Sequence, residues 1–147
     1  MGNYLTIAEV KSRFADKVDE LYYDTNISAI NDDWISYDID ESEAVVDSYV
    51  GTRYNVPITA NQTQINALKG WTYTFFQGKA YERRLDSEVP ESIRDKIKEI
   101  YKLLNKIASG TIPLAGDRSP ENDAANQAGL DIEAGTAYYN AEETTGW

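Results

Sequence analysis

A long helix that is forced to stop constrains this chain more than any other feature. From Val45 to Ile58 the sequence reads Val-Val-Asp-Ser-Tyr-Val-Gly-Thr-Arg-Tyr-Asn-Val-Pro-Ile. Val46, Tyr49 and Val50 continue, at helical spacing, an apolar face begun by Ile35 and Ile39. Pro57 cannot carry the helix further, and it biases the backbone just before it toward an extended exit. Arg53 falls where a positive charge suits a helix C-terminus. The other helices are expected to pack on this one.

The rest of the chain reads as a helical series in order. Thr6-Ile7-Ala8-Glu9 has the form of a capping box, opening a short helix to about Phe14 that buries Ile7, Val10 and Phe14. Asp16 to Tyr23 adds a turn or two through Val18, Leu21 and Tyr22, and Asp24-Thr25-Asn26 breaks the pattern. Asn31-Asp32-Asp33 supplies the cap and early negative charge for the long helix, which starts at about Trp34. After a polar connection, a third helix from about Gln64 places Ile65, Leu68, Thr72, Phe75 and Phe76 on its apolar side. Gly70 and Gly78 weaken that helix, and one of them is expected to mark a close crossing. Trp71 and Tyr73 lie off its stripe and are, with Trp34, candidates for contact with another chain. Pro90 and Glu91 open a fourth helix whose stripe, Ile93, Ile97, Ile100, Tyr101, Leu104, Ile107 and Ala108, is the cleanest helical signal in the sequence. Ser109-Gly110 ends it. Thr111 to Leu114 then reads as a short extended piece.

The expected fold class is therefore all-α: a compact bundle of four to five helices with a long central helix, over residues 1–114. Residues 115–147 form a second region. There seven acids face the single Arg118, and no apolar period is sustained. Such a composition cannot build its own core. It still carries Tyr138, Tyr139 and Trp147, so an extended acidic arm that orders mainly against neighbouring chains is expected.

Composition narrows the function. The sequence has neither Cys nor His, which removes disulfides, thiolate chemistry, the usual general base near neutral pH and the commonest metal ligand. Asp38-Ile39-Asp40-Glu41-Ser42-Glu43 lacks the loop Gly and ligand spacing of an EF-hand, and acids in helical register point to several sides. No enzyme, cofactor or metal site is expected. No apolar run is long enough to span a membrane, and the first residues open no signal peptide, so a soluble protein without membrane contact is expected. Eleven Tyr residues hint at interfaces. The net charge of -11 argues against binding nucleic acid phosphates. That charge is uneven, with eleven carboxylates against Lys17 between Asp16 and Asp47, and eight basic residues against six acids between Lys79 and Lys106. A chain so polarised can pair with copies of itself or with a basic partner.

The order of these parts resembles the head–tail connector proteins of Mu-like tailed bacteriophages, over roughly residues 3 to 116. That family opens with Tyr-x-Thr, matched by Tyr4-Leu5-Thr6, and its long helix ends in a motif matched by Tyr49-Val50-Gly51-Thr52-Arg53-Tyr54-Asn55-Val56-Pro57. It closes with a segment matched by Leu104 to Gly110 and by Leu114-Ala115-Gly116. The third helix departs from the family pattern at Trp71-Thr72-Tyr73-Thr74-Phe75-Phe76. The resemblance implies a structural virion protein at the head–tail junction, made in the host cytoplasm. It would form a ring, commonly of twelve copies, between the portal protein and the next neck or tail-completion protein. Genome DNA would pass through without specific binding. Tyr49, Arg53, Tyr54 and Pro57 are its structural motif, with Arg53 expected to pair with Asp47 or a carboxylate of the first helices. Asp38, Glu41 and Asp47 are candidates to face the channel. Lys98 and Lys102 are candidates to meet an acidic neighbour. Two alternatives stand beside this reading: a helical adaptor subunit of a cellular complex, and an acidic DNA-mimic inhibitor.

Overall fold

The computed structural model describes residues 2–84 and 88–115. Among these residues lie five α-helices and one small hairpin: α1 (Ile7–Arg13), α2 (Ala15–Tyr22), β1 (Tyr23–Asp24), β2 (Ala29–Ile30), α3 (Asp32–Val50), α4 (Gln62–Glu82) and α5 (Glu91–Ala108). The fold is all-α in class, with the long central helix as α3.

The helix ends follow local chemistry. The α1 capping box is formed: the Glu9 amide donates to Thr6 Oγ1 at 3.1 Å, and the Thr6 amide donates to Glu9 Oε1 at 3.0 Å. Phe14 ends α1 and begins α2, so the expected first helix and its added turns are two helices sharing one residue. Asn31 caps α3 by accepting from the amides of Asp33 and Trp34, which starts that helix at Asp32 rather than Trp34. Asn61 caps α4 in the same way through Gln64. At the end of α5 the Gly110 amide donates to Ile107 O and that of Thr111 to Lys106 O, at 3.1 and 2.9 Å. This paired closure needs the left-handed backbone of Gly110, φ +81°. Thr111 to Leu114, expected as a short extended piece, runs without strand pairing, and its Leu114 amide is held by a side chain, as described below.

The break at Asp24 is a hairpin in antiparallel register, Tyr23 opposite Ile30 and Asp24 opposite Ala29. Its strands are two residues long, too short for an alternating pattern to announce them. Buried Asp24 organises the turn, accepting from the Asn26 amide at 2.9 Å and from Asn31 Nδ2 at 2.8 Å.

Helix α3 packs chiefly on α4 and α5. Two apolar clusters flank it. One joins α1 and α2 to Ile35 and Ile39 of α3 and to Phe76 and Ala80 of α4. The other joins Val46 and Val50 of α3 to Leu68 and Phe75 of α4, to Leu104 and Ile107 of α5, and to Tyr4 and Leu114. Helix α4 thus serves both clusters, which explains why Trp71 and Tyr73 lie off its main stripe. Trp71 packs on the second cluster and Tyr73 on the first, both half-buried. Gly78 marks the expected close crossing: a Cβ there would stand 2.8 Å from Ile97 Cδ1 of α5. Gly70 faces open space.

Candidate functional site

The second half of α3 and its exit gather three distant parts of the chain. Glu43 is 4% exposed, and its carboxylate accepts from three successive backbone amides. Asn3 N lies 2.8 Å from Oε1, and Tyr4 N and Leu5 N lie 2.6 and 3.1 Å from Oε2. A buried charge needs such compensation. In return it pins residues 3–5 against the helix. One turn on, the Tyr4 hydroxyl donates to Asp47 Oδ1 at 2.7 Å and accepts from the Ile58 amide at 2.9 Å. Tyr4 therefore ties the helix to the segment beyond Pro57, where the Val56–Pro57 peptide is cis. Burial, followed by the Asp47 hydrogen bond, pushes the Tyr4 phenol well above its usual range. Burial also raises the Asp47 carboxyl, against the lowering effect of Tyr4.

The other end of the described chain reaches the same place. The Tyr54 hydroxyl accepts from the Leu114 amide at 2.8 Å. Arg53 does not reach Asp47. Its guanidinium lies over Gly110, where any side chain would collide with it. Thr52 Oγ1 lies 3.3 Å from Ala108 O. Tyr49 is half-buried with its ring edge-on to Tyr101, centroids 6.0 Å apart. Residues that announce the family pattern in the sequence, Tyr4, Tyr49, Arg53, Tyr54 and Pro57, thus stand at or beside one clamp, with Leu114 as its far jaw.

A second polar node lies toward the other end of α3. Asp38 is 5% exposed, accepting from Tyr22 Oη at 2.6 Å and from Arg83 Nε at 2.7 Å. The Arg83 guanidinium rests 5.1 Å from the ring centres of both Tyr22 and Trp34. Arg83 stands just past α4 and was not singled out in the sequence; nothing local marks its carboxylate partner 45 residues away.

These contacts correct the expectation of an acidic α3 wall. Asp38 is buried in an ion pair and cannot line a channel. Asp47 is half-buried and bound to Tyr4. Glu41 remains near the surface but lies 3.2 Å from Lys79, whose hydrogen bond and charge hold its carboxyl below the usual range. The outward stripe of α3 is instead Asp33, Tyr37, Asp40, Ala44 and Ser48, with Tyr37 62% exposed. Trp34 is half-buried against the first cluster. Lys98 and Lys102 stand exposed on α5, where Lys102 has Glu99 at 3.8 Å. Tyr138, Tyr139 and Trp147 lie outside the described residues.

Chemically, this arrangement holds segments together. Glu43, Asp38, Asp47 and Tyr4 are each engaged in bonds that tie one segment to another. Among the described residues no group of three or more Asp or Glu side chains is placed to hold a metal ion, and no helix is long and apolar enough to cross a membrane.

A family model described as Bacteriophage Mu, Gp36 matches residues 4–131. The match begins at Tyr4, contains the whole clamp, and runs past Gly116, farther than the motifs alone reach. No curated protein and no solved structure matches the chain.

Proposed function

Since the chain belongs to the bacteriophage Mu Gp36 family and is thus a phage virion or morphogenesis protein, we propose that it is a head–tail connector. In this reading copies assemble as a ring below the portal, extend the DNA channel and present a surface to the next neck or tail component. The observation that carries the reading is the clamp. Buried charge and tyrosine hydroxyls fasten the start of the chain, the exit of α3 and the segment after α5 to one place. Such a subunit keeps its shape when loaded from several sides, and its ionisable groups there are spent on rigidity.

Charge supports the same reading. The net charge of -11 lets a genome pass without sticking. The basic flank of α5, with Lys98 and Lys102, offers one half of a heterologous contact to an acidic surface of the next copy, the type of interface that closes into rings. Membership in a phage family favours this reading over a cellular adaptor. Mixing the purified protein with the portal protein from the same source, followed by electron microscopy, tests it. A ring stacked coaxially on the portal is expected. No association, together with absence from purified particles, would overturn the proposal.

A further inference from the structure

Acids are missing from two stretches of this acidic chain. Residues 48–81 and 100–116 contain no Asp or Glu. The fold brings parts of both stretches together at one pole, where α3 and α5 end. The Arg53 guanidinium lies over Gly110 there, and Thr52 Oγ1 lies 3.3 Å from Ala108 O. Leu114 is fastened beside them to Tyr54. Arg53 and Lys106 are exposed, and among the described residues neither forms an ion pair.

The nearest carboxylates do not cancel these two charges. Asp47 is half-buried and bound to the Tyr4 hydroxyl. Glu99 stands two turns before Lys106 and lies 3.8 Å from Lys102. With Glu99 and Lys102 taken as a pair, and Asp47 as fully ionised, the pole keeps a net positive charge. Glu91 and Asp95, at the start of α5, lie about 22 and 16 Å from Lys106 along the helix axis. Both separations exceed the physiological screening length of about 8 Å. A cation suits a helix C-terminus, but the last carbonyls of α5 are already taken. Asn105 O, Lys106 O and Ile107 O accept from the amides of Ser109, Thr111 and Gly110.

Two sources of carboxylate can be compared. Asp33 and Asp40, on the outward stripe of α3, precede its last residue Val50 by 17 and 10 positions. That fixes them about 25 and 15 Å from this pole on a rigid helix, so only a second copy can bring them here. The acids that follow Ala115 start at the pole itself. Asp117, Glu121 and Asp123 outnumber Arg118. Because Leu114 is held, Asp117 stays within about 10 Å of it, and Asp123 averages about 17 Å as a flexible chain. Such a tether gives an effective concentration in the millimolar range. The family match points the same way, since it runs to residue 131 and stops before Tyr138. The first half of the acidic region thus belongs to one pattern with the helices, and the second half does not.

We propose that residues 117–131 dock on the acid-free pole of their own copy, with the carboxylates of Asp117, Glu121 and Asp123 facing Arg53 and Lys106. The docking covers the positive end of an otherwise acidic subunit and does not rest on the connector reading. The arm expected to order against neighbouring chains then begins only after residue 131.

Zero-length carbodiimide cross-linking of the full chain, with peptide mapping, tests the contact. Links from Lys106 to Asp117, Glu121 or Asp123 are expected. In a mixture of isotope-labelled and unlabelled chains they should join residues of one copy. Absence of these links while Lys106 acetylates freely would overturn the proposal and leave the cations to the helix ends alone. Links found only between differently labelled chains would overturn it in favour of a second copy. Two charge-matched variants of the full chain add an independent reading. Asp117→Asn, Glu121→Gln, Asp123→Asn should melt a few degrees below Glu133→Gln, Glu142→Gln, Glu143→Gln at low salt. The difference should vanish at about 1 M salt, where the screening length is about 3 Å. Equal melting of the two variants at low salt would count against the docking.

Discussion

The hydroxyl of Tyr4 lies 2.7 Å from Asp47 Oδ1, joining the start of the chain to a helix residue forty-three positions later. The same oxygen accepts from the Ile58 amide, so one atom serves two elements. Tyr4→Phe keeps the ring in the second cluster and removes both bonds. It leaves a half-buried carboxylate and an amide unpaired, an expected loss of about 2 kcal/mol. Urea unfolding measures this. In an Asp47→Asn background the loss should shrink, because the two substitutions share a bond.

Asp38 anchors the other node. Asp38→Ala leaves the Tyr22 hydroxyl buried and the Arg83 guanidinium without its carboxylate, and should destabilise the protein by about 2–3 kcal/mol. Asp38→Asn retains an acceptor for Tyr22 and should lose less. Equal losses in denaturant titrations would show that Tyr22 contributes nothing to the node.

Helix propensity and caps were legible in the sequence because they are local. The Thr6-Glu9 box, the α5 stripe and the Gly110 stop all emerged where their residues placed them. The fate of the α3 acids was not legible. In helical register Asp38 and Glu43 look like a solvated face; their burial comes from Arg83 and from the amides of residues 3–5, each about forty positions away. Arg53 shows the same limit. A cation after a helix suggested Asp47, yet Tyr4 holds that carboxylate and Arg53 lies over Gly110.

Gly110 and Arg53 should behave as a coupled pair. Gly110→Ala forces a side chain into left-handed backbone, about 1–2 kcal/mol, and also displaces the Arg53 guanidinium. Arg53→Ala alone should lower the melting temperature by a few degrees. In that background Gly110→Ala should retain only the backbone part of its effect, which a double-mutant cycle on thermal unfolding would read.

Glu9 gives a pH signature. The hydrogen bond from Lys69, aided by bonds from Thr6, holds its carboxyl below the usual carboxylate range. A lowered acid stabilises the fold above its unfolded pKa and loses that contribution as pH falls through the folded value. The melting-temperature gap between the wild type and Glu9→Gln should therefore be constant from pH 7 to about 5 and narrow toward pH 3. A gap that widens on acidification would contradict the assignment.

Removal of Asp117–Trp147 should leave the helical part folded, since its two clusters close without that segment, and should weaken incorporation into assembled particles. Circular dichroism and particle composition check the two halves of this expectation.

The clamp also decides how the subunit carries tension. Tyr4 and Leu114 are both fastened to the few residues around Pro57. A pull between the two ends of the described chain would be borne first by the Tyr4 and Tyr54 hydroxyl bonds and the Glu43 cradle. The mechanical path then bypasses α1, α2 and the hairpin, which can shift or dock without being strained. Resistance to force is concentrated at one pole, and compliance is left at the other.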